Sequence, residues 1–207
     1  MSESAAGILK RILDQGLRLF GTADIITLTG MTPFAASQAL RRLAARGLIY
    51  SMKRGLWANR MTGDVEAFEA VPHLTAPWPG YVSLHSALSR HGLVDEVPQA
   101  IYAVSSGRAA RYRTPLGQFH IHHLPKRLIW GFKMERNGRA SFPLADPEKA
   151  FLDLAYLGLI PRSPLGLPYK RDRRWKLDPV RLDQYARRFN YPPLLEYLRK
   201  NKLLKSG

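Results

Sequence analysis

Ile8, Leu9, Ile12, Leu13, Leu17 and Phe20 recur at three- and four-residue intervals, a spacing that predicts an amphipathic helix over 5–20 ending at Gly21. A second helix follows at once, with Thr22 placed to cap it, Ile25, Ile26 and Leu28 on its buried side and Gly30 at its end. In "TPFAASQALRRLAARGL", Thr32 suits an N-cap and Pro33 the first helical position, where a missing N–H costs nothing. At 100° per residue, Ala36, Ala39, Leu40, Leu43 and Ala44 fall on one side of this third helix. Phe34, Ser37, Gln38, Arg41, Arg42 and Ala45 fall on the other, so both arginines face outward. "LIYSMKRGLWAN" then reads as two short strands, 48–52 and 56–59, turning at Lys53, Arg54 and Gly55.

The pattern changes over 61–79, where Asp64, Glu66 and Glu69 cluster and Pro72, Pro77 and Pro79 follow; this reads as a linker with one helical turn. "SLHSALSRHGL" predicts a compact helix capped by Ser83 and closed by Gly92. Strand signals come next in "AIYAVSS", "RYRTPLGQFHIHHL" and "RLIWGFKMERNGRASFPL", with Asn137-Gly138 as the hairpin turn. "DPEKAFLDLAYLG" opens a helix with Asp146 as N-cap and Pro147 at the first position, and buries Phe151, Leu154 and Ala155. A proline-rich basic loop leads to a last helical region over 179–204, broken at Pro192-Pro193. The fold class expected is therefore α+β: a helix-rich domain over 1–60, a linker over 61–79 and a mixed α/β domain over 80–207.

Charge narrows the partners. Thirty-two Lys and Arg against sixteen Asp and Glu leave +16, a surplus that attracts polyanions. Both ends are basic: residues 1–60 hold nine basic and three acidic side chains, and 146–207 hold fourteen and seven. Membrane is the competing partner, but a spanning helix needs about 20 consecutive apolar residues and the apolar runs here are interrupted, as by Asp153. The first residues lack the layout of a secretory signal, and the absence of cysteine suits a reducing cytoplasm.

Three helices followed by a two-stranded hairpin is the order of a winged helix-turn-helix, in which the third helix enters the major groove of double-stranded DNA. Ser37 and Gln38 can bond base edges, Arg41 or Arg42 can take a guanine or a phosphate, and Lys53 and Arg54 sit where a wing meets the neighbouring backbone. Outward arginines are more often merely solvated; the ordered set of helices with a Lys-Arg-Gly hairpin tip favours DNA binding. For Phe34 two readings stand, a contact to a thymine methyl or packing against Ile25 or Ile26, the second being the commoner fate of phenylalanine.

Other motifs are weaker. His120 and His122 share one strand face, yet no third ligand accompanies them, so no metal is expected. His91 reads as a packed side chain, while His85 has no clear role. Asp146, Glu148 and Lys149 could belong to a metal-dependent nuclease, but capping and the helix dipole already account for the acids. No Gly-rich phosphate loop, Gly-x-Ser-x-Gly elbow or nucleotidyl-transfer motif is present, so no cofactor and no enzymatic activity are expected. The run Lys170, Arg171, Arg173, Arg174 and Lys176 reads equally as a second nucleic-acid or docking patch and as a solvated loop.

Over residues 20–160 the succession "LRRLAARGLIYSMKRGLWA", "YVSLHSALSRHGL", "AIYAVSS" and "FPLADPEKAFLDLAYLG" resembles the AbiEi-type antitoxins of bacterial type IV toxin-antitoxin and abortive-infection systems, with "ADPEKAFLDL" the most specific element. The resemblance implies an N-terminal winged domain that binds inverted repeats in its own promoter and represses it. It also implies a C-terminal antitoxin-type domain acting against a nucleotidyltransferase-like toxin, without a direct complex being assumed. The tract 161–176 departs from that pattern in being basic and proline-rich. Two alternatives from other classes are a nuclease delivered by a winged domain and a stand-alone basic DNA-binding regulator.

Overall fold

A computed structural model describes residues 4–168 and 175–204, and every count below refers to these residues. The chain is an α+β protein with an N-terminal helical subdomain and a C-terminal subdomain built on a mixed sheet.

The first helix is shorter than its apolar spacing predicts: α1 runs Ala5–Asp14. Gly16 takes φ +61°, and the N–H groups of Gly16 and Leu17 donate back to the carbonyls of Leu13 and Ile12 at 2.9 and 3.0 Å. This glycine-dependent closure ends the helix, and the apolar residues beyond it continue as a strand, β1 Leu19–Gly21. Helix α2, Thr22–Thr29, follows. Its cap also differs from expectation: the Gly21 N–H donates to Asp24 Oδ2 at 2.6 Å, whereas Thr22 Oγ1 accepts from Trp57 Nε1 at 3.0 Å. Helix α3, Pro33–Ala45, starts as expected, with Thr32 Oγ1 accepting the Ala35 N–H at 3.3 Å and with Ala36, Ala39, Leu40 and Leu43 buried. Strands β2 Ile49–Lys53 and β3 Leu56–Asn59 complete an antiparallel sheet in the order β1-β3-β2.

The stretch expected to be a linker is folded. A 3₁₀ turn at Ala67–Glu69 leads into α4, Ala70–Thr75, and Val65, Ala70, Val71 and Leu74 are buried in the main core. Its acidic cluster serves a distant arginine. The Arg18 guanidinium donates to both Glu69 carboxylate oxygens at 2.9 and 3.0 Å, and to the carbonyls of Thr62 and Asp64 at 3.2 and 2.6 Å. Such a bidentate, largely buried pair fixes orientation as well as adding energy.

The larger subdomain contains β4 Gly80–Val82, α5 Leu84–Arg90, β5 Ile101–Ser105, β6 Ala110–Thr114, β7 Gly117–His123, β8 Phe132–Asn137, β9 Ala140–Ala145, α6 Pro147–Leu159, α7 Pro179–Phe189 and α8 Pro192–Lys200. The strands order as β6-β7-β5-β4-β9-β8, with β5/β7 and β4/β9 parallel and the other neighbours antiparallel. Asn137 pairs with Ala140, so the hairpin turn is Gly138-Arg139, one residue later than the sequence suggested, with Gly138 at φ +58°. One sheet face, carrying Tyr81, Tyr102 and Val104, lies toward α5 and α6. The opposite face, carrying Tyr112, Phe119 and Ile121, turns toward the helical subdomain.

Ile8, Ile12, Phe20, Ile25, Leu40 and Leu43 form a small core inside the helical subdomain. Leu19, Met52, Leu56 and Ala58, although they come from its strands, belong to the main core with Val71, Phe119 and Phe151. Within that core α6 buries an ion pair between Lys149 and Asp153, both 0% exposed.

Candidate nucleic-acid interface

The amphipathic wheel of α3 leaves Arg41 and Arg42 exposed, with Ser37 and Gln38 half-buried beside them on the same outward side. Among the described residues no carboxylate pairs with either guanidinium. This contrasts with Arg18, and with Arg187, whose Nε donates to Asp183 at 2.8 Å. Phe34 completes the face. It is 75% exposed, so packing against Ile25 or Ile26, the commoner fate, is not what the fold gives it. Pro33 at the first helical position sets the chain so that Phe34 projects from the first turn.

The hairpin behind α3 departs from expectation at Lys53. The β2/β3 register slips between Ser51 and Lys53, which sends Met52 into the core and Lys53 away from the turn. Its Nζ donates to the Leu74 carbonyl at 3.2 Å and lies 4.9 Å from the centre of the Tyr112 ring. Burial lowers its pKa from the ordinary lysine value. Lys53 therefore braces the hairpin against α4 and β6, and Arg54 alone of the two cations stands exposed at the tip. The tip itself is held close, since Gly55, at φ +79°, accepts the Thr22 N–H at 2.8 Å.

The remaining candidates separate. Lys170, Arg171, Arg173 and Arg174 lie outside the described residues, whereas Lys176 is exposed and Trp175 stacks edge-on against Phe151 at 4.9 Å. Asp146, Glu148 and Lys149 do not converge. Asp146 Oδ2 accepts the Tyr185 hydroxyl at 3.0 Å instead of capping α6 with its side chain, and Glu148 Oε1 accepts the Asp178 N–H at 2.9 Å. Lys149 points into the core, donating to Asp153 and to the Tyr81 hydroxyl, with the rings of Trp130 and Phe189 within 5 Å of its Nζ. The Tyr81 and Ser83 hydroxyls donate to Asp153 Oδ2 at 3.0 and 2.8 Å, so Ser83 does not cap α5 as expected. Burial drives the Asp153 carboxyl up and the Lys149 ammonium down, and each opposes the shift of the other.

His120 and His122 share a strand face as expected, but Tyr102 packs with both, 5.3 and 6.1 Å between ring centres, and His85 approaches Tyr102 from α5 at 5.2 Å. His91 Nε2 bonds the Ala145 carbonyl at 2.8 Å, as a packed side chain would. Among the described residues no group of three or more His, Cys, Asp or Glu side chains is placed to hold a metal ion. The His122 pKa falls from 6.5 to about 4, first through burial and then through His120, Arg111 and His85. Because the folded pKa is the lower one, the stability it contributes is full above the unfolded value and is lost as pH falls through the folded value. Allowing for partial exposure, about 1–2 kcal/mol should go between neutral pH and pH ~4. His122→Gln should show a smaller acid-induced drop in urea midpoint than the parent; an unchanged drop would clear His122 of any part in it.

No protein-family model matches the chain, and no curated protein matches it. Sequence reasoning missed Lys149 and Asp153 as partners, although their four-residue spacing inside an apolar helix was the available signal.

Proposed function

We propose that the chain is a DNA-binding transcriptional repressor of its own promoter, with α2 and α3 as a helix-turn-helix and β2–β3 as a short wing. The observation that carries the reading is the outward side of α3, where two unpaired arginines and an exposed Phe34 share one face with Ser37 and Gln38. An exposed phenyl ring on that face can meet a thymine methyl in the major groove while arginine meets guanine or phosphate. The net charge of +16 supplies the sequence-independent attraction.

The operator consistent with this reading is an inverted repeat, one half-site for each of two chains. The resemblance of "ADPEKAFLDL" and its neighbours to AbiEi-type proteins supports a second role as antitoxin of a type IV pair in the cytoplasm. Its functional partner would be a nucleotidyltransferase-like toxin, with no direct complex required. Neither role calls for a cofactor or a catalytic step.

The deciding measurement is gel retardation at moderate salt with the upstream DNA of the chain's own reading frame against a scrambled duplex of equal length. Preferential retardation of the upstream DNA is expected. Equal affinity for both would instead identify a general coater of nucleic acid, because phosphate contacts carry no sequence information.

A further inference from the structure

The sheet face turned away from the helical subdomain does not close completely under its helices. Between α5, the connection from α5 to β5, and α6 lies a cavity of about 560 Å³, within the roughly 300–1,000 Å³ usual for small-molecule sites. Its walls are apolar at Leu88 and Leu154, both buried, and aromatic at Tyr102 and Trp175. Both rings are held in place: Trp175 rests edge-on against Phe151, and Tyr102 is flanked by His85, His120 and His122. His85 also lines the cavity, and its buried Nδ1 has no hydrogen-bond partner among the described residues. Burial lowers its pKa from the ordinary histidine value, so the ring is neutral at pH 7 and Nδ1 donates or accepts according to tautomer. A buried polar atom without a partner is costly unless a ligand or water supplies one.

The charge of the lining narrows the ligand. In a chain with thirty-two Lys and Arg, none stands among the described lining residues. Glu96 is the one acid there, and it and Gln99 are exposed at the rim. A phosphate or carboxylate would meet a like charge with no cation to offset it, whereas a carboxylate and an amide suit ribose hydroxyls. We propose that the cavity binds an uncharged purine-type nucleoside, its flat base against Trp175 and Tyr102, one base edge bonded to His85 Nδ1 and its sugar toward Glu96 and Gln99. Bases present a π-face to aromatic side chains and an edge carrying donors and acceptors together, which satisfies either tautomer of His85. The ligand is a free small molecule, and the site stands whether or not the chain binds DNA.

Calorimetric titration of the full chain with adenosine and guanosine, with their monophosphates and with ribose tests the assignment. One-to-one binding of at least one nucleoside is expected, with its monophosphate about tenfold weaker and ribose silent. His85→Phe keeps a ring of similar size but removes Nδ1, and should bind that nucleoside about five- to tenfold more weakly. His120→Phe alters another neighbour of Tyr102, one outside the cavity lining, and should bind like the parent. Leu167→Trp, at a lining side chain 40% exposed, should block the cavity and abolish binding with an unchanged melting curve, so the test survives a His85 variant that fails to fold. Neither heat nor a rise in melting temperature with either nucleoside up to about 1 mM, or parent-like affinity in both His85→Phe and Leu167→Trp, would overturn the site. A monophosphate bound as tightly as its nucleoside would overturn the uncharged class.

Discussion

Asp153→Ala is expected to cost about 3–5 kcal/mol, the usual penalty for removing one partner of a buried ion pair. In a chain of this size that corresponds to a fall of roughly 10 °C in melting temperature. The carboxylate is 0% exposed and gathers three donors, Lys149 Nζ and the hydroxyls of Tyr81 and Ser83. Without it an ammonium is left among the rings of Tyr81, Trp130 and Phe189. Those rings stabilise the cation through their faces, at about 2 kcal/mol where desolvation is complete, and this does not replace a counter-ion. The ion pair itself contributes little beyond what an apolar pair of similar volume would give. Lys149→Met combined with Asp153→Leu should therefore recover part of what the single change loses, since it removes the uncompensated ammonium but leaves the buried Tyr81 and Ser83 hydroxyls without their acceptor. Thermal and urea melts of the two variants check both halves. A single variant melting like the parent would mean that water or another group reaches the ammonium.

The second large effect concerns binding. Arg41→Ala with Arg42→Ala should reduce affinity for the upstream DNA by about a hundredfold or more, taking roughly 1–3 kcal/mol for a bidentate base contact together with a lost phosphate contact. The salt dependence should become shallower by one to two counterions. Stability should scarcely change, because both side chains are exposed and unpaired. The single variants then assign the roles. Loss of the base-reading arginine relaxes the choice at one base pair, whereas loss of the phosphate-binding one weakens all sequences alike. Undiminished, sequence-selective retardation by the double variant would remove the pair from the mechanism.

What the sequence made legible was local. The cap, first turn, buried stripe and outward face of α3 follow from residues within four positions of one another, and all stand as expected. Where partners are distant the reading failed. The acidic stretch near residue 66 looked like a solvated linker because Arg18, which organises it, lies 51 residues from Glu69. Leu17 and Phe20 continued the helical spacing of α1, yet one glycine at φ +61° turned them into the approach to a strand. Short β4, whose neighbours are β5 and β9, offered too few residues to show a period. Lys149 and Asp153 were passed over because charged side chains are so rarely buried that a charged pair on a helix reads as surface. Lys53 and Phe34 changed places with their ordinary fates, the lysine tucked in and the phenyl ring left out.

The two subdomains are welded. Strands of the smaller contribute Leu19, Met52, Leu56 and Ala58 to the core of the larger, and Arg18 and Lys53 strap the junction from separate points. A tethered reading head on a flexible stalk would adapt its reach to whatever spacing a site offers. Here the angle between α3 and the sheet is set when the chain folds, as the gap of a fixed-jaw gauge is set when it is made. On the DNA-binding reading proposed above, a protein with so fixed an angle would accept half-sites at one separation and reject the others without any base contact differing.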